Sequence, residues 1–210
     1  GALMITIDCR HPDILAFIKI KQDKTSVTGA NISVWWTNDF LEAVENDEEY
    51  TLRWPVTANP EEAEFTRKVK AKEIWEAAVQ TATDFAEPGC LFKDRMKNYS
   101  TCDPYEEIIS TNPCGEIAMG KNSACRLIAI NMLVATQDGY TEQASFDFDK
   151  WYQIVYEAMR LSDDLVELEI EHITRIIAKI KSDPEPDHIK ATELKTWLDM
   201  RKNAVDGRRT

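Results

Sequence analysis

The chain is short of histidine, of basic charge, of long apolar runs and of closely spaced cysteines, and each shortage removes a class of function. Lys and Arg number 25 against 37 Asp and Glu, a net charge of −12. A sequence-independent nucleic-acid surface needs a basic stripe to displace counterions, so no nucleic-acid partner is expected. No stretch approaches the roughly 18 apolar residues of a membrane span, so no membrane partner is expected either. Zinc sites bring their ligands in close pairs such as C-x2–4-C. Here Cys90, Cys102, Cys114 and Cys125 follow one another at intervals of twelve, twelve and eleven residues, and no metal is expected. Five cysteines, an odd count without a tight framework, suggest a reducing, cytoplasmic setting. The three histidines, His11, His172 and His188, all lie far from Cys114 in sequence. A Cys–His hydrolase needs an imidazole beside its thiol, so that class is weakly supported.

What is present is a packed globular chain. With 210 residues, 43% hydrophobic content and six tryptophans, it can build one core or two small ones. Leu3 to Ile7 reads as a short buried strand, and His11-Pro12-Asp13 as the start of a helix carrying Ile14, Phe17 and Ile18. Gln22 to Thr28 reads as a polar loop. Ala30 to Trp36 alternates as a strand does, with Ile32, Val34 and Trp36 on one face. Trp35-Trp36 is unusual before a polar helix and suggests an interface or a cap on exposed apolar surface. Thr37 is placed to cap the following helix.

Tyr50 to Ala58 reads as irregular. Asn59-Pro60-Glu61-Glu62 reads as the start of a helix running to about Phe85, where Glu87-Pro88-Gly89 stops it. Leu91 to Tyr105 predicts loop with some helix, and Arg126 to Val134 a third, mostly buried strand. From Phe148 to about Lys181 the apolar spacing is strongly helical, over a length that leaves room for a break near Ser162 or Glu169. A last helix ends at Gly207. Strands separated by helices imply an α/β fold with mostly parallel strands. Three strands do not close a sheet, and both ends of the chain look cut from something larger.

The stretch Thr111-Asn112-Pro113-Cys114-Gly115-Glu116 organises the rest. An amide, a thiol and a carboxylate stand at alternate positions in a tight Pro/Gly loop. Asn112 offers a neutral donor and acceptor, and Glu116 can take a proton from a substrate hydroxyl. Cys114 can serve as nucleophile, ligand, disulfide half or one-electron carrier. Cys125 can reach its neighbourhood if the chain folds back. Taken alone, a pattern this short is more often an ordinary turn holding a buried free cysteine.

The likeness to a known family is longer than this pattern. Asn112-Pro113-Cys114-Gly115-Glu116 resembles the active-site finger loop of the ribonucleotide reductase large subunit. Gly1 to Thr6, His11-Pro12-Asp13-Ile14 and Thr28 to Val34 resemble the segments before that loop. Glu87-Pro88-Gly89-Cys90-Leu91-Phe92 resembles its approach, and Ser123 to Leu127 with Ile130-Asn131 the strand after it. Gly207-Arg208-Arg209-Thr210 resembles the start of a further barrel segment. The short interval from Cys114 to Cys125 looks most like the adenosylcobalamin-dependent, class II branch.

The resemblance implies part of a ten-stranded α/β barrel over 1–210, a first half-barrel with the finger loop at 111–116 and long helices over 148–207. It implies a thiyl radical on Cys114, Glu116 as base toward the ribose 3′ hydroxyl, Asn112 as a hydrogen-bonding residue and Cys125 as one of two reducing thiols. The implied cofactor is adenosylcobalamin. The implied partners are a ribonucleotide substrate, a deoxynucleotide effector, a thioredoxin-type reductant, and a complementary segment or second copy to complete the barrel. Lys21 to Thr28 resembles the loop through which the effector selects the base, with Gln22 and Lys24 as contacts. The family's partner for Cys125 lies upstream of this chain. Cys9 is not an obvious substitute, since its position resembles a packed aliphatic site; Cys90 is expected in the core and Cys102 in a loop. The alternative is a non-catalytic regulatory or interaction module derived from a reductase barrel.

Overall fold

The computed structural model describes residues 1–101, 104 and 106–207. The described chain is mixed α/β and divides into two compact units, Gly1–Lys121 and Asn122–Thr210.

The first unit is built on strand β1 (Met4–Asp8), helix α1 (Ile14–Lys19), strand β2 (Asn31–Trp36) and helix α2 (Asn38–Glu45). A hairpin of β3 (Glu49–Trp54) and β4 (Phe65–Lys70) follows, then helix α3 (Ala71–Phe85), strand β5 (Gly89–Phe92) and helix α4 (Lys93–Tyr99). Two short strands, β6 (Ser110–Thr111) and β7 (Ala118–Met119), close it. β2 is the middle strand of a parallel sheet, with Ile7 opposite Val34 on one side and Leu91 opposite Trp35 on the other.

Successive side chains of a strand point to opposite faces, so neighbouring residues of β2 enter different cores. Val34 and Trp36 join Ile14, Ile18, Phe40 and Ile74 in the main core, beneath the helices. Trp35 packs with Leu91 and Ile108 in a second, smaller cluster. The two tryptophans therefore do not cap exposed apolar surface, one of the two roles their position suggested, because both faces of β2 are covered; Trp35 is 5% and Trp36 1% exposed. Thr37 does stand at the N-cap of α2, but its side chain makes no cap bond. Its hydroxyl lies 3.4 Å from the Cys9 thiol instead.

Three elements differ from expectation. The third strand of the sheet is Gly89–Phe92, not Arg126–Val134. Glu87 prepares this pairing by accepting the Ile32 N–H at 2.9 Å. Gly89 allows the close approach, since a Cβ there would sit 2.6 Å from Ser33 Oγ. The 126–134 stretch finds no strand partner among the described residues and ends in a 3-10 turn over Met132–Ala135. The segment from Tyr50 is a hairpin strand, with Tyr50 opposite Val69 and Trp54 opposite Phe65. The expected helix start at Asn59 is accordingly only a turn, and the helix begins at Ala71. A closed barrel is not seen among the described residues.

In the second unit, β8 (Thr136–Gln137) and β9 (Ser145–Phe146) pair as an antiparallel ladder. Helix α5 (Phe148–Ser182) then runs 35 residues, as the apolar spacing predicts, and is unbroken at Ser162 and Glu169. Asp147 caps it by accepting the Lys150 N–H at 2.9 Å. Helix α6 (Asp187–Gly207) returns after the Asp183–Pro186 turn. Ile173, Ile177 and Ile180, spaced at helical intervals, are the buried residues of α5.

Phe40 is fully buried, stacked on Trp36 at 5.0 Å and edge-on to Tyr50 at 5.1 Å. Phe40→Ala is expected to lower unfolding stability by about 3–5 kcal/mol, read as a reduced urea midpoint at unchanged slope. Asp8 ends β1 and accepts Arg10 Nε at 2.7 Å, Arg10 Nη2 at 2.6 Å and Lys93 Nζ at 2.8 Å. Burial pushes its carboxyl up, but the hydrogen bonds and charges of Arg10 and Lys93 outweigh that and hold it at about 2, below the usual 3.8. A carboxyl depressed in the folded state contributes stability above its unfolded value and loses it as pH falls through the folded one. Stability is thus expected to drop between about pH 4 and pH 2, and Asp8→Asn should remove that part of the slope in urea titrations across this range.

Candidate active site

The segment singled out in the sequence is the tip of the β6–β7 hairpin. Ser110 pairs with Met119 and Thr111 with Ala118, so residues 112–117 form the connection. Its base is fixed by apolar contact: Ile108 is buried against Trp35 and Leu91, with Ala118 packed on the same cluster. Thr111 is buried as well.

The tip is a β-turn over Asn112-Pro113-Cys114-Gly115, closed by the Gly115 N–H donating to the Asn112 carbonyl at 3.0 Å. Proline supplies the φ that the second turn position needs. The left-handed backbone falls on Gly115, at φ 88°, where a side chain would be strained. A turn followed by a left-handed glycine is a common hairpin connection. Asn112 spans the tip twice: its N–H donates to Ile117 O at 3.2 Å and its Oδ1 accepts the Ile117 N–H at 3.0 Å. The amide oxygen is therefore committed to the hairpin, leaving Nδ2 as the group it can offer a ligand.

This geometry brings Asn112, Cys114 and Glu116 together on one six-residue connection, with Cys114 and Glu116 exposed and Asn112 half-buried. Cys114 is thus not the buried turn cysteine of the plainest reading. Cys125 lies in the other unit, exposed, in a stretch without regular structure. Among the described residues no group of acidic, histidine and cysteine side chains could hold a metal ion.

The remaining candidates fall elsewhere. Gln22 donates from Nε2 to the hydroxyl of Thr81 at 3.0 Å, which ties the start of the polar loop to α3. Lys24 is exposed on that loop. Asp23 orders it by accepting the Thr25 and Ser26 hydroxyls, each at 2.7 Å. Lys21 pairs with Glu87, the residue that also receives Ile32. Cys9 is buried as expected, and burial, followed by the charge of Asp8, pushes its thiol up to about 12. Such a thiol is inert as a thiolate. Cys90 is exposed rather than in the core, because β5 is a short strand at the sheet edge. Cys102 lies outside the described residues.

One contact to the tip was not legible in the sequence. Asn31, the first residue of β2, donates from Nδ2 to the Pro113 carbonyl at 2.6 Å. The two residues are 82 positions apart, and no local pattern links them.

Comparison with known proteins identifies the family. Residues 1–183 match the family described as "Ribonucleotide reductase, barrel domain". The chain belongs to the ribonucleotide reductase barrel-domain family. It is 33% identical over 187 residues to a vitamin B12-dependent ribonucleoside-diphosphate reductase of Thermoplasma acidophilum, covering 86% of this chain and 23% of that protein. It is 30% identical over 169 residues to a protein of the same name from Mycobacterium tuberculosis, covering 80% of this chain and 23% of the relative. A vitamin B12-dependent ribonucleotide reductase of Streptomyces clavuligerus is 30% identical over 179 residues, covering 74% of this chain and 18% of the relative. The chain thus spans under a quarter of the length of these curated reductases.

Within this reductase-family segment, Gly115→Ala tests the hairpin tip. The added methyl meets only Leu91 Cδ2 at 3.8 Å, an ordinary contact, so the cost is conformational. The expected loss is about 1–2 kcal/mol, measured by urea denaturation, with faster exchange of the Ile117 amide.

Proposed function

We propose that this chain is the catalytic barrel segment of an adenosylcobalamin-dependent ribonucleotide reductase, forming part of a ten-stranded α/β barrel. It would reduce ribonucleotides once complementary segments complete the barrel. The observation that carries the reading is the hairpin tip, on which an exposed thiol stands between an amide donor and a carboxylate, with its base packed against a parallel sheet. The curated relatives' names and the family match support it.

In this reading Cys114 carries a thiyl radical, which takes a hydrogen atom from the ribose 3′ carbon and becomes a thiol. Glu116 accepts the proton of the 3′ hydroxyl, which favours the carbon-centred radical left behind. Asn112 orients the ribose through Nδ2, since its oxygen is engaged by Ile117. Cys125 supplies one of the two thiols that deliver two electrons and two protons and end as a disulfide, to be reopened by a thioredoxin-type reductant; the 2′ hydroxyl leaves as water, and the Cys114 thiol returns its hydrogen atom to the 3′ carbon, regenerating the thiyl. Adenosylcobalamin, when bound, supplies the oxidising equivalent that makes the thiyl. The exposure of Cys114 fits that role, because a one-electron carrier must be reachable. No cradle for the corrin ring is assigned to residues of this chain.

The same reading makes the Lys21–Thr28 loop a deoxynucleotide effector contact. Lys24 is available to a phosphate or base. Gln22 would exchange its bond to Thr81 for a bond to the nucleotide. The outer edges of β1 and β5 are unpaired by other strands among the described residues, which suits completion by a complementary segment or a second copy.

The test mixes this chain with complementary reductase segments and follows adenosylcobalamin-dependent conversion of ribonucleotide to deoxyribonucleotide. Cys114→Ser is expected to abolish turnover and Glu116→Gln to lower it about 10²-fold or more. Full activity in Cys114→Ser would overturn the thiyl assignment. A wild-type chain that assembles with the complementary segments and does not turn over would favour the non-catalytic module.

A further inference from the structure

The tip that carries Cys114 has one degree of freedom, the orientation of its central peptide, which cysteine at the third turn position biases and proline at the second does not fix. Proline at the second turn position is compatible with both type I and type II turns. The two differ by a flip of the central peptide, which here joins Pro113 to Cys114. In a type II turn the third residue takes positive φ, an arrangement that favours glycine. In this structure the positive-φ residue is Gly115, and Cys114 keeps a negative φ. A flip would redirect the Cys114 side chain while leaving the hydrogen bond that closes the turn in place.

Within the hairpin only the conformational preference of Cys114 opposes that flip; the hydrogen bonds do not. Asn112 N–H to Ile117 O, Ile117 N–H to Asn112 Oδ1 and Gly115 N–H to Asn112 O all involve peptides on either side of the Pro113–Cys114 unit. The Thr111 hydroxyl, 3.0 Å from Asn112 O, also leaves it alone. The bond that grips the flipping peptide comes from outside the hairpin: Asn31 Nδ2 to Pro113 O, 2.6 Å. Asn31 is a firm post. It is paired with Met4 in the parallel sheet, and its own N–H donates to Leu3 O at 2.8 Å. The next residue, Ile32, is held through its N–H by Glu87.

We propose that Asn31 is a positioning residue, a latch that holds the Pro113–Cys114 peptide in one orientation and thereby fixes where the Cys114 thiol points. This rests on the reading of Cys114 as the reacting thiol only for its catalytic consequence; the latch is a property of the hairpin itself. Asn31 acts through the peptide and need not touch substrate.

Two variants test it. Asn31→Ala removes the donor, and Asn31→Asp keeps the size while its ionised carboxylate cannot donate, so the second serves where the first fails to fold. In backbone relaxation-dispersion measurements on this chain, both variants should show microsecond-to-millisecond exchange at the Cys114, Gly115 and Glu116 amides that the unaltered chain lacks. The Ser33 to Trp36 amides of β2 should be unchanged, which reports that the sheet is intact. In the reconstituted reductase, both should lower kcat about tenfold, the order expected from one lost hydrogen bond, with the nucleotide KM unchanged. Quiet tip amides in Asn31→Asp, or a KM effect with kcat preserved, would overturn the latch. Exchange at the tip in a reconstituted system with no wild-type turnover would leave the latch standing and remove the catalytic reading alone.

Discussion

The two-sided burial of β2 is the constraint on which the first unit depends. Trp36 must face the helices, where it stacks on Phe40 at 5.0 Å and meets Trp75 edge-on at 5.2 Å. Its neighbour Trp35 must then face the other way, onto Leu91 and Ile108. Each large side chain buried in this way contributes about 1.5–3 kcal/mol. A slip of one residue would exchange the two tryptophans between cores of different shape, so the register is strongly held. The hairpin that carries Cys114 is seated by the second of these contacts. Its position is thus set from the far side of the strand that anchors the helices.

Polar contacts then fix the ends of the sheet that apolar packing leaves free. At one end Glu87 joins Lys21 to the Ile32 amide, and Asn31 reaches the Pro113 carbonyl. At the other, Asp8 gathers Arg10 and Lys93, and Asn38 N–H donates to Asp94 at 2.6 Å. A buried carboxylate left without its cations would be costly, so Asp8 ties the end of β1 to the start of α4. The result is a stiff platform beneath a short hairpin, the arrangement in which a reactive side chain can be held to a narrow range of positions.

What the sequence shows and what it hides follow the range of the forces involved. β1, β2 and α5 are legible because their pattern is local: Ile32, Val34 and Trp36 alternate, and Ile173, Ile177 and Ile180 recur at helical spacing. The β3–β4 hairpin is hidden because Asn59-Pro60-Glu61-Glu62 has every local mark of a helix start. The strand that follows, Phe65 to Lys70, is mostly exposed, and only its pairing with Glu49–Trp54 reveals it. Arg126 to Val134 fails in the opposite sense, having the apolar content of a strand but no partner among the described residues. At the site, the spacing of Asn112, Cys114 and Glu116 and the Pro/Gly turn could be read directly. The grip of Asn31 could not, because it joins segments that only the fold brings together.

The contrast between Cys9 and Cys114 bears on the kind of chemistry this hairpin suits. An enzyme that uses a thiolate must lower the thiol pKa, with an imidazole, a cation or a helix N-terminus. Cys9 shows burial in this fold doing the reverse, driving the thiol up to about 12. Cys114 is exposed, and the groups flanking it in the tip are an amide and a carboxylate. Hydrogen-atom transfer makes a different demand. It needs reach toward the substrate and a fixed direction of approach, because orientation accounts for much of the barrier in such steps. Exposure provides the reach, while the packed hairpin base and the anchored Pro113 carbonyl provide the direction. A two-electron reduction also consumes a pair of thiols, and Cys9, sealed in the core, is in no position to be the second. In the proposed reading, the thiol that pairs with Cys125 has to be one other than Cys9.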